Sequence, residues 1–119
     1  MASQPEVTVI IPNYNGKKLL ENCIQTLEKQ TCTDFKLLVV DNGSQDGSGE
    51  WLRERGIPTL FLGENTGFSG AVNAGIRAVS TPYVILLNND TEVLPEFVEE
   101  LLAAIKKSDR IFSAGAMMV

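Results

Sequence analysis

The chain alternates short apolar runs with helical patterns along its whole length, and this alternation limits the folds open to it. Strands are predicted in the apolar runs 7–11, 35–40, 59–62 and 83–87, with a fifth strand beginning near Ile111. Helices are predicted at 17–30, 50–55 and 67–79, followed by one that Pro95 opens. Strands that alternate with helices of this length are connected by right-handed crossovers. The sequence therefore predicts an α/β, Rossmann-like fold whose mostly parallel sheet is covered by helices on both faces.

The composition is that of one globular domain, which we place at residues 1–119. Of its residues, 44% are hydrophobic and 21% are charged. The net charge of −5 comes without a basic run, which argues against a nucleic-acid partner. No apolar stretch reaches the roughly 20 residues that span a bilayer. Because the N-terminus also lacks a leader pattern, we expect no membrane span and a cytoplasmic location.

The residue types also exclude several kinds of catalytic centre. The chain has 0 His, so a Ser-His triad, a His-ligated zinc and imidazole acid–base chemistry are excluded within it. Cys23 lies on the apolar face of a predicted helix, and Cys32 lies in the turn after it. Two cysteines without a ligand pattern are predicted to be reduced, partly buried thiols.

Two of the predicted strands end abruptly in acids and amides. Apolar residues give way to Asp41 and Asn42 after the second strand, and to Asn88, Asn89 and Asp90 after the fourth. Ligands bind at the carboxyl edge of parallel sheets, and oxygen-rich side chains there suit a hard divalent cation that carries a diphosphate. We therefore expect one nucleotide-binding cleft fed from neighbouring strands. Loop capping without a ligand is the alternative.

Five motifs, in this order and spacing, resemble those of the family 2 glycosyltransferases, and in particular those of the rhamnosyltransferase-like group. They are VIIPNYN at 9–15, VVDNGSQDG at 39–47, NTGF at 65–68, NAG at 73–75 and LLNND at 86–90. The resemblance covers residues 7–119. It implies a GT-A fold, binding of a nucleoside diphosphate sugar with Mg²⁺ or Mn²⁺, and transfer of the sugar with inversion at its anomeric carbon.

The first motif contains Pro12 and Tyr14, at the end of the first strand. Pro12 is expected to close that strand, since proline fixes the backbone direction. The aromatic ring of Tyr14 can lie against a nucleobase, and the resemblance implies that Pro12, Asn13 and Tyr14 contact the base or ribose. Without the resemblance, packing at a domain edge is the more frequent use of such a tyrosine.

The second motif contains Asp41 and Asn42, which we include among the nucleotide-binding residues. A carboxylate at Asp41 would accept a hydrogen bond from the N3–H of uracil or thymine, which cytosine lacks. From the local sequence alone, Asp41 or Ser44 fits a cap for the next helix equally well. Asp46 is assigned mainly to the turn before that helix.

The third and fourth motifs contain Gly67 and Asn73, which the resemblance implies shape the nucleotide pocket. Glycines before a helix let the backbone approach a ligand, and the N–H groups of the first helical turn can face an anion. The pattern is neither a Walker motif nor the spaced triple glycine of a dinucleotide site. Asn73 fits an ordinary helix-face amide as well, and Phe68 shares helical spacing with Val72 and Ile76.

The fifth motif departs from the family pattern. The family usually has Asp-x-Asp where this chain has Asn88-Asn89-Asp90, so the first acid is an amide here. By resemblance, Asn88 and Asn89 belong to the nucleotide-binding residues, and Asp90 is the expected metal ligand. One carboxylate and an amide oxygen can still hold Mg²⁺, which takes its other ligands from water and substrate phosphates. Weaker metal affinity than with two acids is expected.

A sugar transferase also needs a base and a surface for its acceptor. The family places both after the metal motif, so the catalytic base is unknown and the C-terminus is expected to be truncated. Glu92, Glu96 and Glu99 suit the first turns of a helix, and we assign them to capping and solubility. The apolar end at 117–119 would favour pairing with a partner edge, in a homo-oligomer.

Three functions are compatible with the sequence. The favoured one is the donor-binding half of an inverting glycosyltransferase, with a UDP- or dTDP-linked sugar as donor and a saccharide or lipid-linked acceptor. A noncatalytic nucleotide-binding or assembly module is the alternative. A nucleotidyltransferase would be expected to have a basic, glycine-rich loop after the first strand, and residues 13–16 do not form one.

Overall fold

The predicted order of strands and helices is confirmed. The computed structural model describes residues 7–30, 35–81, 83–90, 93, 95–100, 103 and 112–113. The strands are β1 (Val7–Asn13), β2 (Lys36–Asp41), β3 (Thr59–Phe61), β4 (Tyr83–Leu86) and β5 (Phe112–Ser113). The helices are α1 (Lys17–Glu28), α2 (Ser48–Glu54) and α3 (Gly67–Ala78). Residues 97–100 and 103 are also helical, after a turn at Pro95.

The sheet is parallel at each described strand pair, and its order is β3-β2-β1-β4-β5. The chain therefore builds outward from β1 to β3 and then continues on the other side of β1 with β4. The two connections leave β1 and β4 in opposite directions, which opens a crevice at their carboxyl ends, the usual ligand site of such sheets. The expectation that β2 and β4 are neighbours is wrong, because β1 lies between them.

Helices cover both faces of the sheet, as predicted. On one face, Val9 and Ile11 of β1 pack with Leu20 and Ile24 of α1 and with Leu52 of α2. The alternation of side chains along a strand sends Ile10 to the other face, where it packs with Val40 and Ala71. Fully burying side chains of this size contributes about 1.5–3 kcal/mol each.

The helix α3 lies unusually close to the sheet at one point. A Cβ atom on Gly75 would come within 2.9 Å of Cγ2 atoms of both Ile10 and Val40. A glycine is therefore needed here for space and not for backbone conformation. This close packing holds the second half of α3 against the middle of β1 and β2.

The first strand does not end at Pro12, and that expectation is wrong. Pro12 pairs with Val40 and Asn13 with Asp41, so β1 continues through Asn13. Ile10 accepts a backbone hydrogen bond from Leu87 on the β4 side, and successive residues alternate sides, so the nitrogen of Pro12 also faces β4. The described pairing of β1 with β4 ends at Ile10, before Pro12. The missing N–H of Pro12 therefore removes no hydrogen bond from the described sheet.

Several expectations concern residues outside the described part of the chain. These are the thiol of Cys32, the capping role of Glu92 and the apolar end at 117–119 with its proposed pairing. Cys23 is buried, as predicted. In the parts of the chain that the structure describes, no helix is long and apolar enough to cross a membrane.

Candidate functional site

A polar cleft of about 390 Å³ lies at the carboxyl ends of β1 and β4, and we name it the switch-point cleft. Its lining consists of Pro12, Asn13, Tyr14, Asn42, Asn65, Gly67, Phe68, Ala71, Asn88, Asn89 and Asp90. Four parts of the chain therefore meet there: the end of β1, the residue after β2, the start of α3 with the loop before it, and the turn after β4. Of the nine predicted site residues, seven are in this lining; Asp41 and Asn73 are not.

Asp41 lies at the end of β2, with only 4% of its surface exposed. Its Oδ1 accepts a hydrogen bond from Nδ2 of Asn13 at 3.2 Å, and its Oδ2 accepts one from the backbone N–H of Ser44 at 3.1 Å. Its carboxylate thus orders the loop after β2. It does not cap α2, whose first backbone N–H, at Ser48, is bonded to Asp46. The base-reading role of Asp41 stays a prediction.

Asn42 is buried beside Asp41, and its side chain holds the loop before α3. Its Nδ2 donates to the side-chain oxygen of Asn65 and to the carbonyl oxygen of Gly67, both at 3.1 Å. Its Oδ1 accepts from the backbone N–H of Thr66 at 2.9 Å and from the Thr66 hydroxyl at 3.0 Å. Since both amide hydrogens and the oxygen are used within the protein, Asn42 shapes the cleft by positioning its neighbours.

Gly67 and Asn73 have different positions on α3. Gly67 is the first residue of α3 and has a φ of +82°, which a residue with a side chain rarely adopts. Its N–H donates to Oδ1 of Asn65 at 2.8 Å. Asn73 lies two turns further along the helix and is exposed. Asn73 is not part of the cleft lining, and the pocket-shaping role predicted for it stays a prediction.

The turn after β4 presents one tethered amide between two exposed polar side chains. Asn89 donates from Nδ2 to Oδ1 of Asn13 at 2.8 Å. Asn88 and Asp90 are exposed, and their side chains make no hydrogen bond with another described residue. These side chains are therefore available to a ligand in the cleft.

The donor set suits a cation that a substrate helps to hold. In the described ranges, no three acidic, Cys or His side chains come together to form a metal cluster. Asp90 supplies one carboxylate, and Asn88 supplies an amide oxygen next to it on the cleft lining. A hard divalent cation bound through one or two protein oxygens, with phosphate oxygens and water completing its ligands, fits this set. A closed, all-protein metal site does not.

Two exposed aromatic side chains lie in the cleft lining. Tyr14 is 49% exposed and Phe68 is 62% exposed. The packing alternative for Tyr14 does not account for a ring that is half accessible, and the helical spacing of Phe68 did not indicate its exposure. Aromatic rings in this position offer flat apolar surfaces for stacking.

Asn65, Phe68 and Ala71 line the cleft but were not predicted as site residues. Asn65 and Phe68 belong to the NTGF motif, so placing that whole motif in the site would have found them. Ala71 lies one helical turn after Phe68 and follows from the same step. Asn13 belongs to the VIIPNYN motif in the same way, but no local pattern indicates its hydrogen bonds to both neighbouring strand ends.

Asp46 connects two helices and does more than form a turn. Its carboxylate accepts hydrogen bonds from the backbone N–H of Lys17, at 2.9 Å, and from the backbone N–H of Ser48, at 3.1 Å. These are the first residues of α1 and α2. Burial alone would raise the pKa of Asp46, but hydrogen bonds from the Ser48 hydroxyl and from both backbone N–H groups outweigh it and lower the pKa below 3.8. Asp46 thus fixes the loop after β1 to the loop after β2.

Known proteins share both the sequence pattern and the fold. Glycosyltransferase GlyA of Streptococcus pneumoniae is 33% identical over 119 residues, which cover 97% of this chain and 17% of GlyA. S. aureus TarS in complex with UDP-GlcNAc has a TM-score of 0.77 at 23% identity, over 86% of this chain and 31% of that one. This likeness confirms the expected GT-A fold.

A second solved structure is similar to the chain at slightly higher identity. The mannosyltransferase PcManGT from Pyrobaculum calidifontis, in complex with GDP-Man and Mn²⁺, has a TM-score of 0.67 at 26% identity. The match covers 74% of this chain and 28% of PcManGT. The chain thus spans less than a third of each of these three relatives. The model of the family named Glycosyl transferase family 2 matches residues 8–119, and the chain therefore belongs to that family.

Proposed function

We propose that the switch-point cleft binds the nucleoside diphosphate part of a nucleotide sugar, and that the chain supplies the donor-binding part of an inverting glycosyltransferase. One observation carries the proposal. Aromatic, amide and carboxylate side chains from β1, α3 and the turn after β4 converge on a single cleft at the reversal point of a parallel sheet. A nucleotide offers the matching groups, which are a flat base, a ribose and a charged diphosphate.

The base would lie at the end of the cleft formed by Tyr14 and Phe68. Their exposed rings offer stacking to any base, so selection requires a hydrogen-bonding group. Asp41 lies at the end of β2, the strand next to β1. Each of its two carboxylate oxygens accepts one described hydrogen bond, which leaves lone pairs for another donor. Asp41 would accept a hydrogen bond from a pyrimidine N3–H, and we therefore propose a UDP- or dTDP-linked sugar as the donor.

The diphosphate would lie at the other end, near the turn after β4. Asp90 and Asn88 would hold Mg²⁺ or Mn²⁺ there, together with the phosphate oxygens. When bound, the cation supplies neutralisation of the charge that builds on the departing diphosphate. The exposed Asn88 amide provides a further donor for the same phosphates. The presence of Mn²⁺ in the PcManGT complex supports a divalent cation in the present chain.

Transfer needs an acceptor hydroxyl and a base, and we assign neither to the described residues. A saccharide or a lipid-linked sugar as acceptor, together with a cytoplasmic location, completes the proposal. Glu96 and Glu99 lie at the turn and helix after residue 95, outside the cleft lining, so neither is our base.

Calorimetric titration tests the binding step. The 119-residue chain is titrated with UDP, dTDP, GDP and CDP, each with and without Mn²⁺. We expect metal-dependent binding that favours UDP and dTDP, and a free energy of unfolding raised by about 2.7 kcal/mol at 100 times the dissociation constant. Failure of a folded chain to bind any of the four would refute the proposal. Release of UDP from a UDP-linked sugar when an acceptor is added separates a transferase from a noncatalytic nucleotide-binding module.

A further inference from the structure

Asn13 is part of the lining of the switch-point cleft and is 2% exposed. Its Nδ2 donates to Oδ1 of Asp41 at 3.2 Å and to the hydroxyl of Ser44 at 3.3 Å. Its Oδ1 accepts a hydrogen bond from Asn89 at 2.8 Å. One amide on the central strand therefore bonds to the strand end on one side and to the turn after β4 on the other.

This arrangement requires an amide at position 13. A carboxylate there could accept from Asn89 but would have no hydrogen to donate to Asp41. A hydroxyl or an alanine side chain is too short to reach both sides. Because the amide group is planar and has a single χ1 and χ2, a shift of Asn89 rotates the same group that positions the Asp41 carboxylate.

Gly16 gives a second, independent observation of the same tether. It has a φ of −117°, so its backbone does not need glycine. A Cβ atom on Gly16 would overlap the side-chain nitrogen of Asn89 and would lie 3.1 Å from Oδ1 of Asn13. The missing side chain leaves the space in which the Asn13–Asn89 hydrogen bond forms.

We infer that Asn13 is a positioning residue that couples base selection at Asp41 to metal-dependent diphosphate binding at the turn after β4. The inference rests on the proposed function of the cleft. Breaking the Asn13–Asn89 hydrogen bond should therefore weaken base selection and metal-dependent diphosphate binding together. These two properties concern opposite ends of one ligand. A residue with only a structural role would lower stability and leave both properties unchanged.

Two ratios of dissociation constants measure the coupling. One is the constant for GDP divided by that for UDP, and the other is the constant for UDP without Mn²⁺ divided by that with Mn²⁺. In Asn13→Ala we expect both ratios to fall by about tenfold, within the usual range of coupling between sites. Asn22→Ala, which changes an exposed amide on α1, is the matched control and should leave both ratios unchanged.

Gly16→Ala breaks the tether without removing any of its polar groups. Both ratios should again fall together, and this variant keeps the inference testable if Asn13→Ala does not fold. Gly49→Ala is its control, since a Cβ atom there would meet the side chains of Phe61, at 3.3 Å, and Arg53, at 3.9 Å, and no residue of the cleft lining. If only one of the two ratios falls in a folded Asn13→Ala or Gly16→Ala chain, or if neither falls, the inference is wrong.

A third measurement needs no ligand. Urea unfolding of Asn13→Ala, Asn89→Ala and the double variant forms a cycle, and we expect the two losses of stability to be non-additive. Additive losses would show that the two amides do not act on each other, and would overturn the inference while leaving nucleotide binding by the wild type intact. If the wild type binds none of the nucleotides, the proposed function fails, and the coupling fails with it.

Discussion

The carboxyl ends of β2 and β4 look alike in the sequence and differ in the structure. Each has an acid beside amides, Asp41 with Asn42 in one case and Asp90 with Asn88 in the other. At the end of β2 both side chains are buried and hydrogen-bonded within the protein. At the end of β4 both are exposed in the cleft and make no hydrogen bond with the described residues.

The difference separates Asn42, which builds the cleft, from the two side chains after β4, which remain fully available to a ligand. A buried amide must have its hydrogen-bonding groups satisfied, and Asn42 satisfies them with the loop before α3. An exposed carboxylate costs little stability when it has no partner, because water solvates it. Changes at Asn42 should therefore act mainly on stability, and changes at the end of β4 mainly on binding.

The largest effect is expected at Asp90. Asp90 is the only carboxylate among the described residues of the cleft lining, so in Asp90→Asn the gain in nucleotide affinity that Mn²⁺ provides should disappear. We expect a rise of at least about tenfold in the dissociation constant for UDP with Mn²⁺, measured by calorimetry. The free energy of unfolding should change by less than about 0.5 kcal/mol, as for other surface substitutions.

Glu64→Gln is the matched control for Asp90, since it removes an exposed carboxylate outside the cleft lining. It should leave the Mn²⁺ effect unchanged. An Asp90→Asn chain whose affinity for UDP still rises with Mn²⁺ would place the cation elsewhere and would break the contrast between the two strand ends.

Asn42 should show the opposite behaviour. Asn42→Ala removes four hydrogen bonds that hold the loop at 65–67, and it leaves their partners to water. We expect the free energy of unfolding to fall by about 2 kcal/mol, measured in urea, because four partly buried hydrogen bonds are lost. Asn22→Ala, at an exposed amide, should change it by less than about 0.5 kcal/mol. Equal stability of Asn42→Ala and wild type would contradict the building role of Asn42.

The aromatic side chains belong with the available residues and not with the buried ones. Tyr14→Ala and Phe68→Ala should each weaken UDP binding by roughly tenfold, since stacking on a base contributes about 1–3 kcal/mol. Stability should hardly change, because both rings are largely exposed. Leu19→Ala, which changes an exposed apolar side chain on α1, serves as control. A loss for only one of the two rings would identify which face of the base is covered.

The order of strands and helices was predictable from the sequence because local patterns decide it. Each described strand and helix begins or ends within about two residues of its predicted position. The strand order was not predictable in the same way, since it depends on which faces pack across the whole chain. The sequence therefore placed β2 and β4 side by side and missed the strand between them.

The same limit explains which site residues were missed or given the wrong part. Asn13 is a cleft residue only because β1 is central and carries it to both neighbours. Asn42 is bonded to a loop 23 to 25 residues further along the chain, and no local pattern reports that pairing. By contrast, the exposed group of Asp90 follows from the sequence, since a carboxylate directly after a buried strand has few places to go.

Asp46 extends the comparison to a third position and gives the smallest expected effect. Its carboxylate is bonded to the first residues of α1 and α2, so it should act on stability and not on nucleotide affinity. Because its pKa in the folded chain is lowered below 3.8, its stabilising contribution is complete above that pH and is lost as the pH falls through the lowered value. Asp46→Asn should therefore be less stable than wild type at neutral pH, and the difference should shrink below pH 3.8.

Urea unfolding of wild type and Asp46→Asn between neutral and acidic pH measures this difference, with Glu64→Gln as a carboxylate control in an exposed loop. A difference in stability that stays constant down to the lowest pH would show that the charge of Asp46 contributes nothing beyond its hydrogen bonds. A change in UDP affinity at neutral pH, with stability unaltered, would move Asp46 from the residues that build the site to those that contact the ligand. Since Asp46 joins the loops after β1 and β2, that outcome would also mean that the cleft extends further toward α1 than its present lining does.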